Sequence, residues 1–338
     1  MKVPKQHHFV YRKYLAPWTD TKKSDGKIWA YPSKNGEVFN SNLMGVAQQR
    51  YFNEFQRLTE LEKFVTYFII KVTNDPDAKL SKPFLESLNS LRIFASLEAG
   101  GVSVDAGSDA QIEIINRNMR IKLGEDSHSF YELKGLPYLQ SLLEGDVAIL
   151  DDDGELFNFL FFLLIQLSRT KKSRGSFSRD FQYTREFLLK NIKAHGGELE
   201  KLKIPFDIDA AISELDDLES NCNPEKIHQY VTDSLSFFAA YQLMSKERPK
   251  VHLINVQDGL ELLTSDHPVI SLGGLERDPA FYLPIGPTKA LILAFDNRSD
   301  TDSFNELDVL KYNKLVIDSY SQHVFSASKE LLIKMMKI

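Results

Sequence analysis

The sequence predicts an α+β fold, with a mostly helical middle packed on a small sheet built from an N-terminal hairpin and C-terminal strands. Three observations predict it. Strand-like alternation occupies residues 8–40, apolar residues recur at helical spacing from Gln48 to about Lys246, and β-rich runs return from Val251 onward. Neither end holds enough strands for a stable sheet alone, so the two ends are expected to share one. Composition shifts at 1–47, 48–248 and 249–338, read as three segments of one compact unit.

In the first segment Phe9-Val10-Tyr11 reads as a strand. Lys27–Tyr31 and Glu37–Asn40 read as a hairpin around Asn35-Gly36, a dipeptide suited to a tight turn. In the middle, Thr59-Glu60-Leu61-Glu62 has the capping-box pattern, and Phe64, Val65, Phe68, Ile69 and Val72 follow on one helical face. Pro83 suits the first turn of a helix carrying Phe84, Leu85, Leu88, Leu91 and Phe94. Further helices are expected at 109–122, 129–143, 155–170, 178–194, 208–220 and 224–245, the last opened by Asn223-Pro224. Strands are expected at Val251–Val256, Leu260–Thr264 and Ala290–Phe295. A helix over Asn305–Ser321 and a strand over Val324–Ser326 complete the chain.

Composition bounds the function. A net charge of −6 argues against a general polyanion binder, although it leaves room for a local basic groove. Cys222 is the single cysteine, so no internal disulfide forms, and the natural compartment is a reducing cytoplasm. The longest apolar run, Leu156–Leu167, is about half the ~20 residues of a membrane span, so no membrane is expected. There are 23 Phe against 2 Trp, which suggests a thick helical core or a protein-contact surface. The chain has no Gly-rich phosphate loop, no Gly-x-Ser-x-Gly elbow, no His-Glu-x-x-His and no paired-Cys zinc spacing.

Four constellations carry chemical possibilities. His7 and His8 are adjacent, and on a strand they face opposite ways, so one at most joins a given site as acid, base or ligand. Gln49-Arg50, at the entry to the helical zone, offers a planar guanidinium suited to carboxylate or phosphate. Gln166 and Arg169 share a face of an otherwise apolar helix, where a buried Arg needs an anionic partner; Asp266 is the expected one. The basic run Lys171-Lys172-Ser173-Arg174 follows. Finally Thr264-Ser265-Asp266-His267-Pro268 ends an apolar run with polar side chains. Asp266 and His267 are candidates for a divalent metal ion, and Asp266 for holding an imidazole. Each has a structural alternative: a solvated His pair, an ion pair, a capped turn. Asp151-Asp152-Asp153 reads as a turn before the Phe-rich helix.

Taken in order, these segments resemble the bacterial proteins grouped as domain of unknown function forty-two thirty-eight. The resemblance rests on His7-His8-Phe9-Val10-Tyr11 through Leu15 and Trp18, with Tyr11 where the pattern has Pro, and on Gln49-Arg50 and Gln166 to Thr170. It continues with Thr264 to Val269, Pro284 to Leu291, and Asn313. Such proteins are associated with phage-defence islands. The resemblance implies an abortive-infection or toxin-like antiviral effector.

The functional expectation is a hydrolase, nuclease-like, acting on RNA or a nucleotide. His7 or His8 and Asp266 would be catalytic, and Gln49, Arg50, Gln166, Arg169, Ser265 and Asn313 would bind substrate. The alternative is a non-catalytic sensor whose polar set is a buried network and whose Phe-rich surface binds a phage or host protein.

Overall fold

The computed structural model describes residues 6–8, 10–33, 36–73, 94–95, 97, 109–274, 278–295 and 302–337. The expected helix from Pro83 through Leu91 lies outside these residues, as do Phe9 and Asn35. The chain divides into two compact units with interleaved segments. One comprises Asn53–Ser129 and Ser173–Phe238; the other comprises Gln6–Phe52, Phe130–Lys172 and Ala239–Ile338. These cuts fall elsewhere than the compositional shifts near 47 and 248.

The first unit is helical. The Thr59/Glu62 capping box forms: the Thr59 amide donates to Glu62 Oε2 at 2.9 Å and the Glu62 amide to Thr59 Oγ1 at 3.1 Å. Glu62 Oε1 also accepts from the Asn223 amide at 2.8 Å, which ties the start of helix Glu60–Thr73 to the Asn223-Pro224 opening of helix Pro224–Lys246. Leu61, Phe64 and Val65 pack with Phe94, Ile192 and Tyr230 in the core. The expected helix at 178–194 is two helices, Lys171–Asp180 and Arg185–His195, because Thr184 caps the second through the Phe187 amide at 3.2 Å. The segments at 109–122 and 129–143 are one helix, Asp109–Glu144. Gly124 looks like a break in the sequence, but a Cβ there would lie 1.7 Å from the Asn53 carbonyl oxygen. The glycine permits close approach within a continuous helix.

The second unit holds all the described strands. They are β1 (Gln6–His8), β2 (Lys27–Pro32), β3 (Phe39–Asn42), β4 (Gln48–Arg50), β5 (Lys250–Val256), β6 (Thr264–Ser265), β7 (Ile270–Ser271), β8 (Ala280–Gly286), β9 (Lys289–Ala294), β10 (Ser303–Phe304) and β11 (His323–Ser326). The expected sharing of a sheet between chain ends is present in the order β3-β2-β11-β6, with Ala30 opposite Phe325. A second sheet, β10-β5-β9-β8-β7, is antiparallel except for the β10–β5 pair. β1 and β4 form a separate two-stranded ribbon.

Three details depart from the sequence reading. Gln48–Arg50 is a strand, so the helical zone opens only at Glu60. Tyr11 precedes the short helix Arg12–Leu15 and is not part of a strand. Of the expected strand Leu260–Thr264, only Thr264 pairs with a neighbour; the Leu263 amide is bonded by the Asn313 side chain instead. Tyr14 and Trp18 fasten the N-terminal turns to this region: Tyr14 Oη donates to the Pro284 carbonyl at 2.6 Å, and Trp18 Nε1 to the Leu262 carbonyl at 2.9 Å. Among the described residues, no helix is long and apolar enough to cross a membrane.

Candidate functional site

The site is built around the end of helix Asp153–Ser168 in the second unit. Asp152 caps its start by accepting from the Gly154 and Glu155 amides, so the aspartate run is a helix cap. The helix is apolar nearly all round and its residues from Phe159 to Gln166 are buried. Gln166, Arg169 and Thr170 are spaced three and four apart and emerge on one face. Arg169 is 2% exposed, a costly position for a cation. Its partner is Glu132, with Nη2 to Oε1 at 2.7 Å, and not the expected Asp266. None of its three guanidinium nitrogens meets an acceptor in hydrogen-bond geometry, and Nε2 of Gln166 is likewise buried without one.

The β1–β4 ribbon sets His7 opposite Gln49 and His8 opposite Gln48. Cross-strand partners share a face, so the two histidines separate as alternation requires. His7 is fully buried, its ring edge-on to Tyr51 with centroids 6.1 Å apart. His8 turns toward the cations. Burial and then the Arg12 charge, with a smaller push from Arg169, lower its pKa to about 4. The backbone at Val46 and Ala47 opposes the shift without reaching hydrogen-bond geometry, and both ring nitrogens are sealed without a partner. Tyr11 Oη is also sealed and unbonded; burial, and then the Glu132 charge, push its pKa up to about 12. Gln49 and Arg50 are exposed, with the Arg50 guanidinium 5.0 Å over the Tyr51 ring. Non-glycine residues with left-handed φ bracket β4: Ala47 at 50° and Tyr51 at 54°.

The Thr264–His267 turn arrives from the other side of the sequence. Ser265 Oγ accepts from the His267 amide and donates to its carbonyl, both at 3.1 Å, an internal turn clamp. Asp266 accepts from the Ser321 amide at 2.9 Å and the Gln322 amide at 2.7 Å, fastening this turn beside β11. Burial raises its pKa despite those bonds. Asn313 accepts from the Leu263 amide at 2.8 Å and donates to the Glu261 carbonyl at 3.0 Å. These three side chains hold backbone. His267 does something else: Nδ1 lies 2.7 Å from Thr170 Oγ1, on the residue after Arg169. Burial, with the Lys172 charge behind it, lowers its pKa to about 4.

Of the residues singled out from sequence, His8, Gln166 and Arg169 contribute unbonded polar atoms, and His267 bonds Thr170, the residue after Arg169. His7, Gln49 and Arg50 contribute none, and Ser265, Asp266 and Asn313 are occupied structurally. Among the described residues, no group of three or more His, Cys, Asp or Glu side chains converges as a metal site. Sequence reasoning missed Glu132, Tyr11 and Thr170. Tyr11 and Thr170 stood beside chosen residues, whereas nothing distinguishes Glu132 within its helix. Residues 6–330 match the family model described as "Protein of unknown function (DUF4238)", and the chain belongs to that family. No curated protein and no solved structure matches it.

Proposed function

We propose that this DUF4238 chain is a cytoplasmic anti-phage effector, toxin-like in action, that hydrolyses phosphate esters of RNA or nucleotides at the Arg169 pocket. The observation carrying this reading is the surplus of buried donors. Beyond the ion pair to Glu132, Arg169 has N–H groups in no hydrogen-bond geometry, Gln166 Nε2 has no acceptor, and Tyr11 offers an un-ionised hydroxyl. Each such group left unbonded costs about 1–3 kcal/mol, a cost that an oxygen-rich ligand removes. Charge supports the same ligand. The Arg12 and Arg169 cations stand against the Glu132 carboxylate, with His8 uncharged near neutrality, which leaves one positive charge for a phosphodiester to cancel.

In this reading Arg169 holds the phosphoryl oxygens, Gln166 and Tyr11 donate to them, and His8 is a neutral proton acceptor. Isothermal titration with inorganic phosphate tests it. Wild type should bind, Arg169→Lys should bind at least tenfold more weakly, and Arg50→Ala should bind like wild type. No binding by folded wild type would count against the reading.

Sealing of the donors from solvent favours a second reading, a non-catalytic sensor in which these groups rigidify the unit. RNA and nucleotide profiles after induced expression separate the two. Identical profiles for wild type and His8→Ala favour the sensor.

A further inference from the structure

A cavity of about 380 Å³ lies within the first unit, among helices Glu60–Thr73, Lys171–Asp180 and Pro224–Lys246. That volume falls in the range of small-molecule sites, roughly 300–1,000 Å³. Its residues are separate from the Arg169 site, which belongs to the second unit. The wall is mostly apolar, with Phe68 and Ile69 from the first helix, Phe177 from the second and Leu235 from the third. Phe181 and Tyr183 join them from the connection to helix Arg185–His195. The rings brace one another. Phe177 and Phe181 have centroids 5.6 Å apart, Phe181 meets Tyr183 edge-on at 4.8 Å, and Tyr183 stacks on Phe187 at 5.3 Å. Phe187 meets Phe68 edge-on at 5.7 Å. Four of these five rings line the cavity, so its apolar wall is pre-organised.

The polar groups of the lining give the cavity a sign. Asp180 alone is charged among the described lining residues. It is exposed and has neither an ion pair nor a hydrogen bond among the described residues. It also stands at the last position of helix Lys171–Asp180, where the helix dipole is negative and a carboxylate is disfavoured. The neighbouring cation, Arg179, donates through Nη2 to Ser176 Oγ at 3.0 Å instead. Tyr183 Oη has no hydrogen-bond partner among the described residues, and burial, then the Cys222 thiol, push its pKa up. Its hydroxyl is therefore un-ionised and able to accept. Thr73 Oγ1 is occupied, donating to the Ile69 carbonyl at 2.8 Å. Carboxylate, helix end and ring faces all favour a positive ligand.

We propose that this cavity binds a protonated amine carried on an aromatic or alkyl body. The body packs among Phe68, Phe177 and Phe181, and the ammonium donates to the Asp180 carboxylate and to Tyr183 Oη. An uncharged ligand of the same shape gains the walls and forgoes the charge, and an anion is repelled. The proposal is independent of the hydrolase reading, since no lining residue belongs to the Arg169 site. A ligand there touches three helices at once, so it raises the stability of the unit by mass action.

Isothermal titration of the full chain with 4-phenylbutylamine and with the uncharged 4-phenylbutan-1-ol tests the proposal. The amine should bind about fivefold more tightly, the scale of one exposed charge pair. Asp180→Asn should remove that preference and leave affinity for the alcohol unchanged; the side chain is exposed, so the variant keeps its fold. Val72 also lines the cavity and is 53% exposed, so Val72→Lys adds a cation there without disturbing the core. It should weaken the amine more than the alcohol. Methyl NMR locates the ligand: the amine should shift the Ile69 methyl resonances and leave those of Ile270, in the second unit, in place. No binding of the amine by folded wild type, equal affinity for the two ligands, a preference that survives Asp180→Asn, or binding without change at Ile69 overturns the proposal.

Discussion

Glu132 Oε1 lies 2.7 Å from Arg169 Nη2, an approach that balances charge and leaves hydrogen bonding unmet. The guanidinium side chain is 1% exposed and the carboxylate 16%. A buried pair of this kind is weak evidence for stability, but breaking it is expensive because the remaining ion is stranded. It lies beside three further buried groups without hydrogen bonds: Gln166 Nε2, the His8 ring and Tyr11 Oη.

The first prediction follows from that pair. Glu132→Gln should lower unfolding free energy by about 3–5 kcal/mol in urea titrations, the scale for stranding a buried cation. Inorganic phosphate should recover part of the loss by supplying the missing anion. A loss that phosphate leaves untouched would contradict an anion site at Arg169.

The second concerns pH. His267 is neutral in the folded state with its pKa lowered to about 4, against 6.5 when unfolded. Above pH 6.5 neither state is protonated and no penalty exists. As pH falls from 6.5 toward 4 the unfolded chain takes up the proton first, so stability declines across that window. The contribution is on the order of 3 kcal/mol for one such group. Denaturation curves at pH 7 and pH 4 should therefore differ less in His267→Gln than in wild type.

Asn313 gives the third. Asn313→Ala orphans the buried Leu263 amide and should cost about 2 kcal/mol. Phosphate affinity of the folded variant should match wild type in isothermal titration. Weakened binding would instead place Asn313 in the pocket.

The fourth tests the ribbon. Ala47 is buried at φ 50°, a conformation that a β-branched residue adopts only with strain. Ala47→Val should lose about 2 kcal/mol or more in thermal unfolding. Ala47→Gly should be near neutral, since relief of strain offsets a lost methyl and added chain entropy.

What sequence reveals here depends on the range of the interaction. The capping box at Thr59 and the Asn223-Pro224 opening are local, and both are where their patterns put them. A sheet shared by the two chain ends was expected from a shortage of strands at each, and β2 does pair with β11, but the C-terminal strands also build the five-stranded sheet β10-β5-β9-β8-β7 by themselves. The run Ala280–Gly286 carried no strand signal of its own, because Pro284 discourages that reading and the register shift beside it absorbs the proline. Arg169 announced itself as a charge in an apolar helix. Its partner did not, because a helical surface supplies many carboxylates and only packing selects Glu132. The same holds for Asp266, whose residue type suggested chemistry until its two backbone amides were seen.

The sheet order β3-β2-β11-β6 also has a temporal meaning. Synthesis proceeds from the N-terminus, so His8 and Arg169 leave the ribosome well before β11 at His323–Ser326. Until that strand emerges, β2 lacks one of its two neighbours, and the Asp266 side chain lacks the Ser321 and Gln322 amides that fasten its turn. A nascent chain ending before residue 320 carries every pocket side chain without the framework that brings them together. Under the proposed effector reading, translation itself would act as the safety catch.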